Sequence, residues 1–309
     1  MMRPKSGQHT TLEGEQEKQW AAKSSVAAAV GLTSFKVIVG ITTGSLGILA
    51  EAAHSGLDLV AAIMTLVAVR ISGKPADRDH LYGHGKAENL SALFETLLLL
   101  VTCLWIIGEA VRRLSTKSVD VEVTVWSFAV MATSIVVDVS RSRVLYRAAR
   151  KFNSQALEAD ALHFSTDIWS SAVVLVGLAA VLVSDRIPAL SALRYADSVA
   201  AILVAVIVLY VVYQLGRRSI RALLDAAPLG MEQRITEAVE ALPGVCDCHN
   251  VRVRTSGPRT FIDVHVLVDG AQSLCAAHDL TEEIESAIRH IASDADVTVH
   301  PEPVQTPRI

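Results

Sequence analysis

Cysteine is scarce, with four in 309 residues. Cys103 sits inside an apolar run, and Cys246, Cys248 and Cys275 lie near the C-terminal end. That is no disulfide framework, and it fits a C-terminal segment held in a reducing compartment. The first 19 residues are polar and charged and hold no apolar core of the signal-peptide kind. The first apolar run is therefore expected to act as its own insertion signal. Lysine is absent after Pro228, where six Arg face thirteen Asp and Glu, a net of −7. The remainder carries 22 basic and 19 acidic residues, a net of +3. An acidic tail argues against nucleic acid and for cations as partners. The H-E-x-x-H signature is missing too, which leaves a membrane-embedded zinc hydrolase without its general base.

Long apolar blocks are what the chain has in abundance; 51% of its residues are hydrophobic. A bilayer core about 30 Å thick takes about 20 helical residues to cross. Six runs approach or exceed that length: 21–43, 45–69, 89–111, 121–140, 156–184 and 195–216. After Pro228 the pattern changes to short segments of mixed polarity. The expected architecture is a polar N-terminal segment (1–19), a six-helix transmembrane domain (20–221) and a small α+β domain (228–309). Lys and Arg favour cytoplasmic loops. They crowd 141–151, follow the sixth run as Arg217, Arg218 and Arg221, and occur between runs two and three as Arg70, Lys74, Arg78 and Lys86. Residues 43–45 carry no charge, and 185–194 carries two Arg. Arg112, Arg113 and Lys117 break the pattern and read as snorkelling at a helix end. Both termini are then cytoplasmic.

Two of the apolar runs contain ionisable pairs. EAAHSGLDLV places His54 and Asp58 four residues apart, on one helix face, and ADALHFSTDIW repeats the spacing with His163 and Asp167. A charge at mid-bilayer costs about 2.5–3.5 kcal/mol on insertion scales, so such residues need a partner or a wet cavity. His54 lies nine residues from Ser45 and His163 nine from Ser154, counted from opposite faces of the membrane. Both pairs thus reach the same depth. One pair alone suits an ion pair between helices as well as a metal site; two matched pairs favour an N2O2 cation site, suited to tetrahedral Zn²⁺. Glu51, Glu158 and Asp160 flank the pairs and read as solvated vestibule residues. Gly31, Gly40, Gly44 and Gly47 allow close helix approach.

Asp77, Asp79, His80 and His84 offer four potential ligands between runs two and three, with Gly83 and Gly85 freeing the backbone. A solvated polar loop fits that spacing equally. The tail reads as helix 231–242, strand 248–255, strand 260–268, helix 272–290 and strand 296–300, with a turn at Ser256, Gly257 and Pro258. This αββαβ order implies a two-layer sandwich of the ferredoxin-like kind. FIDVHVLVD puts Ile262, Val264, Val266 and Val268 on one strand face and Asp263 and His265 on the other. His249, His265, His278 and His300, with Cys246 and Cys248 as soft ligands beside His249, suit a metal site and an ordinary surface equally.

Taken together these residues resemble the cation diffusion facilitator family, from about Trp20 to Glu302. The most specific piece is the loop run D-x-x-H-x-x-G-H-G-K-x-E: Asp77, His80, Gly83, His84, Gly85, Lys86 and Glu88. The resemblance implies a homodimer that exports divalent cations from the cytoplasm in exchange for protons, in a bacterial inner membrane. It assigns His54, Asp58, His163 and Asp167 to the transport site, and Asp77, His80 and His84 to a loop site. It assigns His249, His265, His278 and His300 to tail metal binding across the dimer interface. Lys86 and Asp225 match a charge pair that locks membrane helices there. Two departures stand out. His54 replaces an aspartate common in members with this loop, which resembles the zinc-preferring branch. Glu302 stands where the tail pattern carries aspartate.

Zn²⁺ is then substrate and regulatory ion, with no organic cofactor. Imidazoles, whose unperturbed pKa is about 6.5, would exchange metal for protons near neutrality. Fe²⁺, Co²⁺, Cd²⁺ or Mn²⁺ could follow the same route, though two imidazoles count against Mn²⁺. A metal-responsive scaffold that does not transport is the competing class; the midplane quartet, costly to insert, argues against it.

Overall fold

The computed structural model describes residues 7–116, 125–184 and 196–304. Lys117 and the 185–194 loop, used above for orientation, lie outside the described residues. The chain divides into two compact units, Met1–Ser219 and Ile220–Ile309, each described by itself.

Among the described residues, six long helices coincide with the six apolar runs: α1 (Gly7–Thr43), α2 (Leu46–Ser72), α3 (Lys86–Thr116), α4 (Val125–Phe152), α5 (Gln155–Ser184) and α6 (Ala196–Leu223). Three stretches among the described residues, Glu13–Thr43, Ile48–Ser72 and Lys86–Gly108, are long and apolar enough to cross a membrane. The first helix starts well before its apolar run, so most of the polar N-terminal segment is helical from Gly7. Lys18 in that segment is buried, pairing with Glu15 at 2.6 Å and Glu88 at 3.5 Å.

The α1–α2 turn is set by Gly44 at φ +67, a left-handed conformation that lacks a Cβ penalty. Ser45 then caps α2 by accepting the Ile48 N–H. Asn153 makes the α4–α5 turn at φ +50, and the Ser154 hydroxyl accepts from Leu157 N–H. Helices α1, α2, α4 and α5 share an apolar core built around Ala22, Val69, Leu145, Leu157 and Phe164. Leu99 and Cys103 of α3 pack on Val208 and Val212 of α6. Of the four glycines expected at helix contacts, Gly40 makes the close approach: a Cβ there would lie 2.7 Å from Leu49 Cδ2. A Cβ at Gly31 or Gly44 would meet open space, and the surroundings of Gly47 lie outside the described residues. Leu57, Val60, Ile63 and Val67 on α2, and Leu97, Val101, Leu104 and Trp105 on α3, are exposed. Such contiguous apolar surface suits lipid rather than water.

The second unit contains α7 (Met231–Glu240), β1 (Val245–Ser256), β2 (Arg259–Val268), α8 (Leu274–Ile291) and β3 (Ala295–Pro303). The αββαβ order is as expected; β1 and β3 run longer at both ends, and β2 starts one residue earlier. The sheet order is β1-β2-β3. A turn with Gly257 at φ +58 joins the antiparallel β1–β2 pair. β2 and β3 are parallel, and α8 supplies their crossover. The result is a three-stranded mixed sheet. Ile262, Val264 and Val266 are fully buried and Val268 nearly so, under Ile235 and Val239 of α7 and Ile284 and Ile288 of α8. Both helices thus cover one sheet face, and the other stays open.

Candidate metal centres

Helices α2 and α5 bring their two pairs together. His163 Nε2 lies 3.2 Å from Asp58 Oδ1 and 3.6 Å from Asp167 Oδ2. His54 Nε2 lies 4.0 Å from Asp58 Oδ1 and 3.9 Å from Asp167 Oδ1. The i, i+4 spacing stacks each pair on one face, and the shared depth lets the faces meet. Asp58 and His163 are buried, while the His54 side chain is 31% exposed.

Other ionisable residues surround this quartet, and pairing-based reading of the sequence passed over them. Glu95 of α3 is fully buried; it accepts from Thr65 Oγ1 at 3.1 Å and faces His163 Nδ1 at 3.7 Å. Asp138 and Arg141 of α4 are buried 3.5 Å apart, and the Arg141 guanidinium stacks 3.5 Å over the Phe164 ring. Lys36 of α1, also buried, donates to Ser55 at 2.8 Å and to Glu51 at 3.3 Å. The available signal was a charge inside an apolar run, as at Lys36, Glu95 and Asp138, since an intramembrane charge is a functional candidate by itself.

Asp160 corrects an expectation. It is fully buried rather than a solvated vestibule residue, and it accepts from Ser25 Oγ at 3.2 Å while Arg141 donates to the same hydroxyl at 3.1 Å. The reason is packing: α1 and α4 close over that face of α5. Glu51 is 47% exposed, as expected, and Glu158 pairs with Arg218 at 2.7 Å.

In the α2–α3 loop, Asp77 lies 3.3 Å from His80 Nδ1 and 3.2 Å from His84 Nε2, and the two rings are 4.4 Å apart. Asp77 Oδ1 also accepts the His80 N–H at 2.7 Å and the Asp79 N–H at 3.0 Å. The His80 backbone donor is the main reason its carboxyl falls below the usual carboxylate range. Gly83, at φ +78, turns the chain so that His84 returns to Asp77. Asp77, His80 and His84 form a potential ligand group, which Asp79 does not join. Glu88 anchors the start of α3, accepting from Ser154 of α5 and meeting Lys18 of α1. Lys86 opens α3, and Asp225 lies just past α6 at φ +57.

The open sheet face of the tail carries a row of histidines, because His249, His265 and His300 are register partners across the three strands. Glu302, two residues on from His300, reaches over the row. It lies 2.7 Å from His265 Nδ1, 3.6 Å from His249 Nε2 and 3.7 Å from His300 Nε2. The His265 ring holds the Glu302 carboxyl below the usual range. His249, His265 and Glu302 form a potential ligand group, as do His54, Asp58 and Asp167 in the quartet, where His163 stands outside the group. His249 Nδ1 is also 2.9 Å from Asp247.

His300, although in the row, does not join the tail group, and neither do His278 and the two cysteines. His278 lies on the exposed side of α8, in the other layer, 3.7 Å from Glu282. Cys248 is no soft ligand beside His249: strand alternation turns it into the core, where burial pushes its thiol up to about 11. Cys246 is exposed.

The family model for the cation efflux transmembrane domain matches residues 22–224, and that for the cation efflux protein cytoplasmic domain matches residues 228–304. The chain is 33% identical over 298 residues to the cation-efflux pump FieF of Serratia proteamaculans, spanning 93% of this chain and 95% of the pump. It is 34% identical over 289 residues to FieF of Pectobacterium atrosepticum, spanning 92% of each. Among solved structures, the metal-bound C-terminal domain of the CzcD transporter from Thermotoga maritima is similar, with 36% identity, 26% of this chain and 94% of that domain covered, and a TM-score of 0.24. The chain belongs to the cation efflux, or cation diffusion facilitator, family of membrane transporters, with a helical transmembrane domain followed by a small cytoplasmic α+β domain.

Proposed function

We propose that the protein exports divalent metal cations from the cytoplasm, Zn²⁺ foremost, by exchanging them for protons at the His54–Asp58–His163–Asp167 quartet. The carrying observation is that His54, Asp58 and Asp167 bring one ligand atom each within 4.8 Å of one another, with His163 Nε2 beside both carboxylates. Zn²⁺ bonds to N and O of about 2.0–2.1 Å place tetrahedral ligand atoms about 3.3 Å apart. The cross-pair and in-pair distances of 3.2–4.0 Å lie at or just above that edge. Two imidazoles with two carboxylates favour Zn²⁺ over the oxygen-seeking Mn²⁺.

Six membrane spans with both termini in the cytoplasm set α2 and α5 antiparallel, so that rocking of the bundle opens the quartet to either side. The ligands hold metal only when deprotonated, so affinity falls as pH drops. Protons arriving from outside would release the ion there. A homodimer, with Lys86 and Asp225 paired at its interface and His278 brought in from the second copy, would complete the tail site. Metal there offsets the repulsion of two acidic domains and biases the dimer toward transport. The loop group, Asp77, His80 and His84, is proposed as a further ion site.

Metal flux into proteoliposomes under a pH gradient tests the reading, comparing Zn²⁺, Fe²⁺, Co²⁺, Cd²⁺ and Mn²⁺. Asp58→Ala and Asp167→Ala should each abolish flux, and near-normal Zn²⁺ transport by either removes the site assignment. A chain ending at Ala227 that transports with unchanged metal dependence removes the regulatory role of the tail.

A further inference from the structure

Among the buried polar atoms at the quartet without a hydrogen-bond partner are Nδ1 of His163 and Oε2 of Glu95. They face each other, 3.7 Å apart. Glu95 comes from α3, a helix that supplies none of the four proposed ligands. Its other oxygen is held by the Thr65 hydroxyl of α2 at 3.1 Å. Its side chain is 0% exposed, in a segment where a carboxylate is costly to place.

The opposite edge of the same imidazole decides what Glu95 can do. His163 Nε2 faces the quartet, 3.2 Å from Asp58 and 3.6 Å from Asp167. A cation held there takes the Nε2 lone pair, which leaves the proton of a neutral ring on Nδ1. Glu95 sits on that side and so cannot ligate the same ion. A buried Nδ1–H needs an acceptor, and a buried carboxylate needs a donor. From this geometry we infer that Glu95 is a positioning residue: it accepts the Nδ1–H of His163, which fixes the tautomer and aims Nε2 at the cation. Thr65 holds the carboxylate in place, so the ring is tied to α2 and α3 as well as to its own helix.

The inference rests on the quartet reading, and Asp58→Ala serves as its separate control. If Asp58→Ala transports normally, the quartet itself is wrong, whatever Glu95 does. The assay is Zn²⁺ uptake by the full-length protein in proteoliposomes, resolving KM from maximal rate. Losing the outer partner of a metal-bound histidine costs about 10–100-fold in metal affinity. Glu95→Leu should raise KM for Zn²⁺ by that factor, and Glu95→Gln, whose carbonyl still accepts the N–H, should restore most of it. Thr65→Val, which frees the carboxylate without touching His163, should raise KM a few-fold; it also decides the matter if the Leu variant does not insert. A purely structural role would lower the amount of active protein and leave KM unchanged. An unchanged KM in Glu95→Leu or Thr65→Val, or equal impairment by Gln and Leu, overturns the assignment.

Discussion

Replacing His54 by aspartate probes the quartet where it is loosest. His54 Nε2 stands 4.0 and 3.9 Å from the two carboxylates, against 3.2 and 3.6 Å for His163, and its side chain is 31% exposed against 4%. Bringing both distances to tetrahedral edges of about 3.3 Å asks His54 to move inward by roughly 0.6 Å. An aspartate donor is withdrawn by about one bond length, ~1.5 Å, and cannot close that gap. Water then fills the place of the imidazole, and the set becomes rich in oxygen. A lost direct donor is worth at least a hydrogen bond to a charged group, about 1.5–3 kcal/mol, or roughly 10- to 150-fold in affinity. In proteoliposome uptake at a fixed pH gradient, KM for Zn²⁺ should rise by at least about tenfold. Cd²⁺ and Mn²⁺ should lose less, since oxygen-rich sites favour Mn²⁺ and a wider cage admits larger ions. A Zn²⁺ KM within about twofold of the parent, with the order of ions unchanged, refutes His54 as a ligand.

Arg141→Leu leaves Asp138 and Asp160 buried without the guanidinium, at a cost of about 3–5 kcal/mol; thermal unfolding in detergent should show a large drop that Arg141→Lys partly recovers, and an unchanged midpoint removes the network from the stability argument. In the tail, Ile262→Ala should destabilise by about 2–5 kcal/mol. His265→Ala, on the open face, should leave the metal-free stability near that of the parent and abolish stabilisation by added Zn²⁺; equal effects in both would contradict the two-faced sheet. Acid titration follows from Glu302, whose pKa is lowered by the His265 ring. A carboxylate with a depressed folded pKa contributes stability above its unfolded value, about 4.3, and loses it as pH falls through the folded value. Stability of the metal-free tail against urea should therefore lose the Glu302 contribution only below about pH 4.3, and Glu302→Gln should remove that acid limb. A parent and variant with identical acid profiles would separate Glu302 from the histidine row.

Helix number and the meeting of the two His–Asp pairs were legible because one periodicity governs both. An apolar run of sufficient length has to be helical in a bilayer, and i, i+4 spacing fixes the face of the helix. The tail strands were legible for the same kind of reason, as FIDVHVLVD alternates and its buried and open faces follow. Glu95 was missed because it stands alone in its apolar run, and Asp138 and Arg141 because their i, i+3 pair straddles the end of one. Their meaning comes from neighbours on other helices, at sequence separations no local pattern reports. Asp160 failed in the opposite direction: it lies near a helix end, where exposure is the default, yet Ser25 of α1 and Arg141 of α4 enclose it. Cys248 looked like a ligand by proximity to His249, and strand alternation, applied one residue further, would have turned it inward.

The charges around the quartet favour the proposed exchange over simple release. Among the described residues, the helices enclose Asp58, Glu95, Asp138, Asp160 and Asp167, while Lys36 and Arg141 are the cations buried beside them. With neutral imidazoles this region carries a formal excess of three negative charges. Water cannot dilute that excess where α1, α2, α4 and α5 pack closely, and unpaired carboxylates in such surroundings cost several kcal/mol each. An empty, deprotonated quartet is therefore the unfavourable state. In the exchange proposed above, one divalent ion on the four ligands or one proton on each of His54 and His163 lowers the excess to one charge. Both loaded states are thus balanced to the same degree, and passage through the bundle with neither cargo is penalised. A membrane protein that coupled metal to protons only through ligand chemistry would not need Asp138 or Asp160. In the proposed exchange their burial spreads the coupling over the electrostatics of the whole bundle, and replacing either by a neutral isostere should loosen coupling before it abolishes metal binding.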